Sequence, residues 1–397
     1  MKPQKSLVSA TLFLCVFLAV FTEVLLSPFY PQFFSKVFGI EDFSYTGYYL
    51  FICRLTVVLC APLWGFLCRW FEVKNILYIG QIGTAIATAL MATSSTVTQF
   101  IAYTMLLLLF KSSYLLVYPL IVQIAGKERQ ATIAGTYQAV FHGAIITSTI
   151  AGAWMVNLDN PLVLFYGIAA VDVVQFGLCL FALKHISTRR EVNAETTVAP
   201  EANPWGFIFT IGLVVLTFQL ANNLVRPFFT AYVTKSSQFE ASLLASSYLF
   251  MIPNAMAIAA LPYIRKFCQT ERLSFMYLLG IGLLVLTLFG QGWTNSLGIL
   301  ILARVVYGFW LAVSQASLEL KLFSRSSGDR LHFNYSLIMS FANLGHLSAP
   351  LLASWLVNTY SLAAPLLFAA AICALNFAFA RLTIFRNPVF FVSKSIG

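Results

Sequence analysis

The chain has 397 residues, of which 59% are hydrophobic and only 10% charged, with a mean hydropathy of +0.83. That balance lies outside the soluble globular range and is typical of chains dissolved in lipid, so the sequence reads as a polytopic membrane protein. The formal charge of +10 does not point to nucleic acid, because the basic residues sit in short loops rather than on a water-facing patch or arm.

Continuous apolar runs without period-2 alternation predict helices rather than strands, and crossing a bilayer takes about 20 helical residues. Twelve such segments are predicted, near 8–36, 43–68, 74–94, 97–124, 130–157, 161–185, 204–233, 239–264, 273–292, 295–321, 331–357 and 362–385. The first does not read as a cleavable signal, since its apolar run is too long and has no small-x-small cleavage site. Within it, "FTEVLLSPFYPQFF" (21–34) places Glu23 among apolar residues, followed by Pro28 and Pro31. Those prolines remove helix hydrogen bonds and permit bending, which makes them gating candidates. Seven cysteines form no CxxC and no Cys/His ligand spacing. They read as small hydrophobes, and no metal site is expected.

Orientation follows from lysine and arginine. With the N-terminus inside, eighteen of them fall in cytoplasmic loops and ends and two, Lys36 and Lys235, outside, which predicts both termini in the cytoplasm of a cell inner (plasma) membrane. The remaining four, Arg54, Lys111, Arg226 and Arg304, fall within predicted spans. The polar stretch "STRREVNAETTVAPEAN" is a predicted linker at 187–203 between six-helix bundles at 1–186 and 204–397.

The two halves resemble each other. "SPFYPQFFSK" (27–36) aligns with "RPFFTAYVTK" (226–235), "EVKNILYIGQIG" (72–83) with "ERLSFMYLLGIG" (271–282), and "KER" (127–129) with "GDR" (328–330). The three pairs are 199 to 201 positions apart, which marks an internal repeat. Two repeated halves with a ligand site at their interface are a transporter architecture.

With these features the chain resembles the major facilitator superfamily over nearly its whole length. The family's loop 2–3 signature corresponds to "GFLCRWFEVK" (65–74), where Arg69 stands at the usual acid and Glu72 follows; both are gating candidates. The fourth-helix signature, which has a membrane-embedded arginine, corresponds to "LLLLFKSSY", with Lys111 instead. The fifth-helix antiporter signature becomes "GAIITSTIAG" (143–152), without its Gly-Pro. The resemblance implies an all-α fold of two pseudo-symmetric six-helix bundles, with helices 1, 2, 4 and 5 lining a central cavity and helices 3 and 6 packed outside it. Within the family, "YTGYYLFICRLTVVLCAPLWG" (45–65) is similar in texture to exporters of carboxylate-type siderophores.

No GxxxxGK[ST] phosphate loop, HExxH or GxSxG is present. Neither an ATP-driven pump nor a hydrolase is suggested, and no cofactor is expected. The functional argument rests on ionisable residues at bilayer depth, which cost a few kcal/mol or more unless they face a partner or water. In the first half these are Glu23, Arg54, Lys111, His142 and Asp172. Glu23, Asp172 and His142 are the proton-coupling candidates. The competing reading is a structural ion pair of Glu23 with Lys111 or Arg54, with Asp172 tying helices together and His142 a packing residue. The second half offers Gln219, Asn222, Asn223 and Arg226 in its first helix, Arg304, Tyr307 and Trp310 at three-residue spacing in its fourth, and Asn343 and His346 in its fifth. That set suits hydrogen bonding and stacking against a polar solute, although amides also glue membrane helices together. Glu319, near the cytoplasmic end of helix 10, belongs to a gate or salt bridge.

Four mid-membrane cations against Glu23 and Asp172 leave a surplus of two. An anionic small molecule would compensate it, because Arg binds carboxylate or phosphate bidentately and Lys supplies a point charge. The expected function is a monomeric, proton-coupled secondary transporter of a polar organic anion, with a carboxylate siderophore as one candidate. The alternative is a multidrug or lipophilic-cation exporter using Glu23 and Asp172 as its cation site.

Overall fold

A computed structural model describes residues 2–67, 70–125, 130–184, 205–236, 238–269, 271–325 and 330–385, so the predicted linker at 187–203 and Arg69 lie outside the described residues. All described elements are helical. The chain divides into two compact units, Met1–Ala194 and Glu195–Gly397.

In the first unit the first span is broken. α1 (Lys2–Val24) gives way to a 3-10 turn at Ser27–Phe29 and restarts as α2 (Tyr30–Phe38). The cause is local, because Pro28 has no N–H for the Val24 carbonyl and Pro31 none for that of Ser27. α3 (Phe43–Leu67) and α4 (Val73–Ala92) are continuous. The fourth span is α5 (Val97–Lys111), a 3-10 turn at Ser112–Leu116 and α6 (Val117–Ala125), so Lys111 stands at a change of helix type. α7 (Gln130–Val156) and α8 (Leu164–Leu183) complete the unit.

The second unit repeats the plan. α9 (Trp205–Leu224) breaks before Pro227 and restarts as α10 (Phe229–Lys235). α11 (Leu243–Phe267), α12 (Leu273–Trp293), α13 (Leu297–Arg325), α14 (Arg330–Thr359) and α15 (Ala364–Thr383) follow. Eleven of the resulting twelve spans meet the length and hydropathy of a membrane crossing; α14, with Ser340, Asn343, His346, Ser348 and Asn358 along it, is more polar.

Packing shows the same symmetry. α1 lies on α7 and α8, α4 on α5 and α8, and α3 on α5; likewise α9 lies on α14 and α15, α12 on α13 and α15, and α11 on α13. The core of the first unit gathers Leu12, Cys15 and Val16 of α1 with Leu77, Ile121, Ile145 and Cys179 from four other helices. Large apolar residues such as Phe181, Trp293, Leu375 and Leu382 are exposed on the outside, as lipid contact requires.

The helix break in α1–α2 is held by close approach. A Cβ on Gly152 of α7 would lie 1.8 Å from the Leu25 carbonyl oxygen, whereas one on Gly143 of the same helix would meet nothing within 4 Å. Gly152→Ala is therefore expected to destabilise the protein by about 1–3 kcal/mol through overpacking. Gly143→Ala should be neutral or stabilising by up to about 1 kcal/mol from helix propensity. Thermal unfolding of the two solubilised variants checks this opposition in sign.

Candidate functional site

Each unit brings together part of the predicted set. In the first, Glu23 is the penultimate residue of α1 and is exposed. Among the described residues it has neither a hydrogen bond nor an ion pair. Its charge acts on Tyr30, Cys53 and Tyr137, and that of Arg54, also exposed on α3, acts on the same Tyr30 and Cys53. Glu23 and Arg54 therefore share one neighbourhood without pairing. Tyr30 is steadied there by Tyr49, whose hydroxyl donates to it across 3.4 Å and whose ring lies 4.7 Å away edge-on. Tyr137 stacks near Tyr118 and Phe141, and Phe141 meets the half-buried His142 edge-on at 5.7 Å. An accessible carboxylate and an accessible guanidinium, both rimmed by tyrosines, can bind a zwitterion or exchange a proton with water.

Lys111 departs from the expectation. Its Nζ donates to Thr22 Oγ1 at 3.0 Å, and the acid whose charge it meets is Asp172, not Glu23. The ion pair of Glu23 with Lys111 or Arg54 that the sequence left open does not form among the described residues. The physical reason is helix rotation: Thr22 and Glu23 are adjacent in α1 and so point about 100° apart. Lys111 reaches only the Thr22 side.

Asp172 lies on α8 against α4 and is 3% exposed. Its Oδ2 is 3.1 Å from the Thr88 hydroxyl. With Lys111, Gln81, Thr84, Ser113, Tyr114 and Gln175 it lines a small cavity in the first unit.

In the second unit Arg304 is buried, at 4% exposure. Its Nε donates to the Leu249 carbonyl and its Nη2 to that of Phe250, both at 3.1 Å, while the guanidinium sits 3.9 Å from the Phe229 ring centroid. Leu249 is four residues before Pro253, which lies inside α11 and offers no N–H. Arg304 thus supplies the donor that the proline removes. A Cβ on Gly308, one turn along α13, would lie 2.3 Å from Pro253 Cα, so the kinked helix presses directly on α13.

This revises the open anion contact expected at Arg304: two of its donors serve the helix backbone. Its Nη1 has no hydrogen bond among the described residues, and no acid among them pairs with it. Arg226 sits in the break between α9 and α10, is exposed, and its charge acts on Arg304 and Tyr307. Tyr307 donates to Asn222 Oδ1 at 2.9 Å. Asn222 and Asn223 donate to the carbonyls of Phe218 and Gln219 in their own helix, at 2.7 and 2.8 Å. These amides are engaged locally, as helix glue would be. Trp310 leaves the Arg304 face and packs with Tyr263 and Phe309 at 6.0 and 5.7 Å. Asn343 is exposed and His346 half-buried on α14.

The gating candidates are mostly local. Pro28 and Pro31 are buried at the break. Glu72 precedes α4 and pairs with Lys74 at 3.0 Å, and Glu319 accepts from Gln315 at 3.3 Å. Sequence reading missed Thr22, Tyr30, Thr88, Tyr137 and Gln175. One signal was available, since Gln81, Thr84 and Thr88 recur at helical spacing in an apolar span.

Comparison with known proteins agrees with this architecture. The profile described as Major Facilitator Superfamily matches residues 12–273 and again 211–391. Multidrug resistance protein MdtG of Salmonella choleraesuis (strain SC-B67) is 20% identical over 361 residues, covering 89% of either chain. MdtG of Klebsiella pneumoniae (strain 342) is 21% identical over 377 residues, 92% of this chain and 90% of that one. Among solved structures, the nucleoside transporter NupG superposes with a TM-score of 0.78 at 16% identity, covering 96% of this chain and 99% of NupG. The human organic anion transporter MFSD10 gives 0.68 at 17% identity, with 94% and 99% coverage.

Proposed function

Because the chain belongs to the Major Facilitator Superfamily and is thereby a multi-pass membrane transporter, we propose that it is a secondary transporter of a polar organic anion, driven by protons through Glu23. The observation that carries the anion is the charge of the second unit. Arg304 is buried with no acid among the described residues paired to it, and Arg226 adds a second positive charge that acts on it from the neighbouring helix break. Buried charge without a counter-ion is costly, and a carboxylate or phosphate between the two cations would offset it. The proton role rests on Glu23, an exposed acid with neither a hydrogen bond nor an ion pair among the described residues. A substrate with amine or amide groups beside its carboxylates, as carboxylate siderophores have, would compete with the proton there and favour export. Both termini are assigned to the cytoplasmic side of an inner membrane on the lysine and arginine asymmetry.

A second reading, a multidrug or lipophilic-cation exporter, has its own support. Glu23 is accessible beside Tyr30 and Tyr137, which suits a cation, and the MdtG relatives are named for multidrug resistance. Uptake in oriented proteoliposomes of a citrate-based siderophore, a simple tricarboxylate and a lipophilic cation, with and without a pH gradient, separates the two. Arg226→Ala should lower apparent anion affinity at least tenfold, since a charged hydrogen bond contributes about 1.5–3 kcal/mol and each decade is about 1.4 kcal/mol. Transport of the cation alone, indifferent to Arg226→Ala, would remove the anion reading and leave the second.

A further inference from the structure

The cavity around Asp172 is not explained by packing, because the second unit fills the same place without charge. "AAVDVVQF" in α8 aligns with "AAICALNF" in α15, so Cys373 stands where the first unit has Asp172 and Asn376 where it has Gln175. The structure upholds that alignment. Gln175 Nε2 donates to the Cys15 carbonyl of α1 at 3.2 Å, and Asn376 Nδ2 to the Val214 carbonyl of α9 at 2.8 Å, the same tie in both units. Ser113 packs against Gly80 as Ser314 packs against Gly280, which sets Lys111 opposite Ala312. The fold therefore needs neither Asp172 nor Lys111 where they stand.

The hydrogen bonds around Asp172 leave an ionised carboxyl there poorly compensated. A hydroxyl has one proton to give. That of Thr84 goes to the Gly80 carbonyl at 2.7 Å and that of Thr88 to the Thr84 carbonyl at 2.8 Å. Thr88 also donates toward Asp172 Oδ2, at 3.1 Å, so one proton is divided between the carboxyl and the Thr84 carbonyl, and a buried carboxylate here would have no hydrogen bond to itself alone among the described residues. No ion pair compensates an ionised Asp172 among the described residues, since Lys111 donates to Thr22 and lies beyond 4.0 Å of Asp172. Of the groups facing Asp172 from α4, α1 and the Lys111–Tyr114 turn, Lys111 alone is a charge acting on it; Tyr114 lines the same cavity, and Cys179, which the lining Gln81 contacts, lies 3.6 Å from Cys15. Gln81 commits its amide N–H to Cys179, leaving Oε1 buried with no partner, and the Tyr114 hydroxyl is likewise unpartnered. Acceptors facing a cavity of this size offer two docks for one ammonium, or room for about one water molecule.

We propose that Asp172 is a buried proton-binding site and that Lys111 is its switch: protonated Asp172 leaves Lys111 on Thr22, and ionised Asp172 draws the ammonium into the cavity. In the second state the Asp172 proton has passed to water, and Lys111 gives donors to the carboxylate and to Gln81 Oε1. Thr22 precedes Glu23 in the last turn of α1, so the move withdraws a positive charge from the Thr22 face of the turn that carries Glu23. Asp172 and Lys111 act here as positioning residues for the transport acid. The inference extends the proton reading of Glu23 and does not depend on the substrate being an anion.

Infrared spectroscopy of the full chain reconstituted in lipid bilayers tests it. At neutral pH the wild type should show a carboxylic-acid C=O band that shifts in deuterated buffer. Asp172→Asn should abolish that band and Glu23→Gln leave it. Asp172→Cys, the residue the second unit tolerates in this place, should also abolish it in a protein that folds. In Lys111→Met the band should persist to higher pH than in the wild type, because ionised Asp172 then has no ammonium to meet. A band that survives both Asp172 variants, that vanishes with Glu23→Gln, or whose titration ignores Lys111→Met overturns the proposal. If the band behaves as expected while proteoliposomes carry no anion, only the substrate reading falls.

Discussion

Glu23→Gln is expected to abolish gradient-driven accumulation while sparing exchange of substrate across the membrane at equal pH. One pH unit corresponds to about 1.36 kcal/mol per proton, or about tenfold accumulation for each proton coupled. The variant should bring that ratio to about 1. Glutamine keeps the shape of Glu23, so loss of packing cannot account for the effect; the side chain is exposed and makes no hydrogen bond or ion pair among the described residues. The measurement is the steady-state substrate ratio in proteoliposomes at imposed pH differences, beside counterflow with no gradient. A variant that still accumulates tenfold per pH unit would remove the coupling role from Glu23. If counterflow also disappears, Glu23 contacts the substrate itself, as the cation reading requires.

Arg304→Met should destabilise the protein even where no substrate is present. The change strands the Leu249 carbonyl, whose natural donor Pro253 cannot supply, and an unsatisfied buried acceptor costs about 1–3 kcal/mol. The stack on Phe229, with the ring centroid 3.9 Å away, is lost as well, about 0.5–2 kcal/mol more. Pro253→Ala restores an N–H to the helix. The penalty of Arg304→Met should therefore shrink by about 1 kcal/mol in the Pro253→Ala background, a coupling that a double-mutant cycle of unfolding free energies reads directly. Additive effects would mean that Arg304 does not serve the kink. Arg304→Lys should recover little, because one ammonium cannot reproduce the planar fork across two carbonyls and a ring.

The twelve helices, the proline breaks in the first helix of each half and the two-fold repeat were legible in the sequence because their causes are local, whereas the 3-10 turn at Ser112–Leu116 was not expected. Hydropathy over about 20 residues decides which segments enter lipid, and a proline decides where its own helix loses a bond. Pro28 and Pro227 accordingly break the first helix of each unit where expected. The candidate residues were also legible as a set, since a charge in an apolar run is conspicuous wherever it ends up pointing.

Their partnerships were not. Lys111 was expected among the residues around Glu23 and lies instead between Thr22 and Asp172, because which of two adjacent residues faces a neighbouring helix depends on how both helices are rotated. Arg304 was expected to face an anion and two of its donors hold the kink at Pro253, a contact between residues 55 and 54 positions apart that no spacing rule predicts. Glu23, exposed and without an ion pair among the described residues, and the buried Asp172 look alike as letters in apolar runs. The amino-acid sequence alone determined that this protein crosses the membrane as two repeated six-helix units carrying surplus positive charge. Only the tertiary structure separated one carboxylate open to water from another sealed against a threonine, because burial and hydrogen-bond partners belong to the packed helices and not to any segment of the chain.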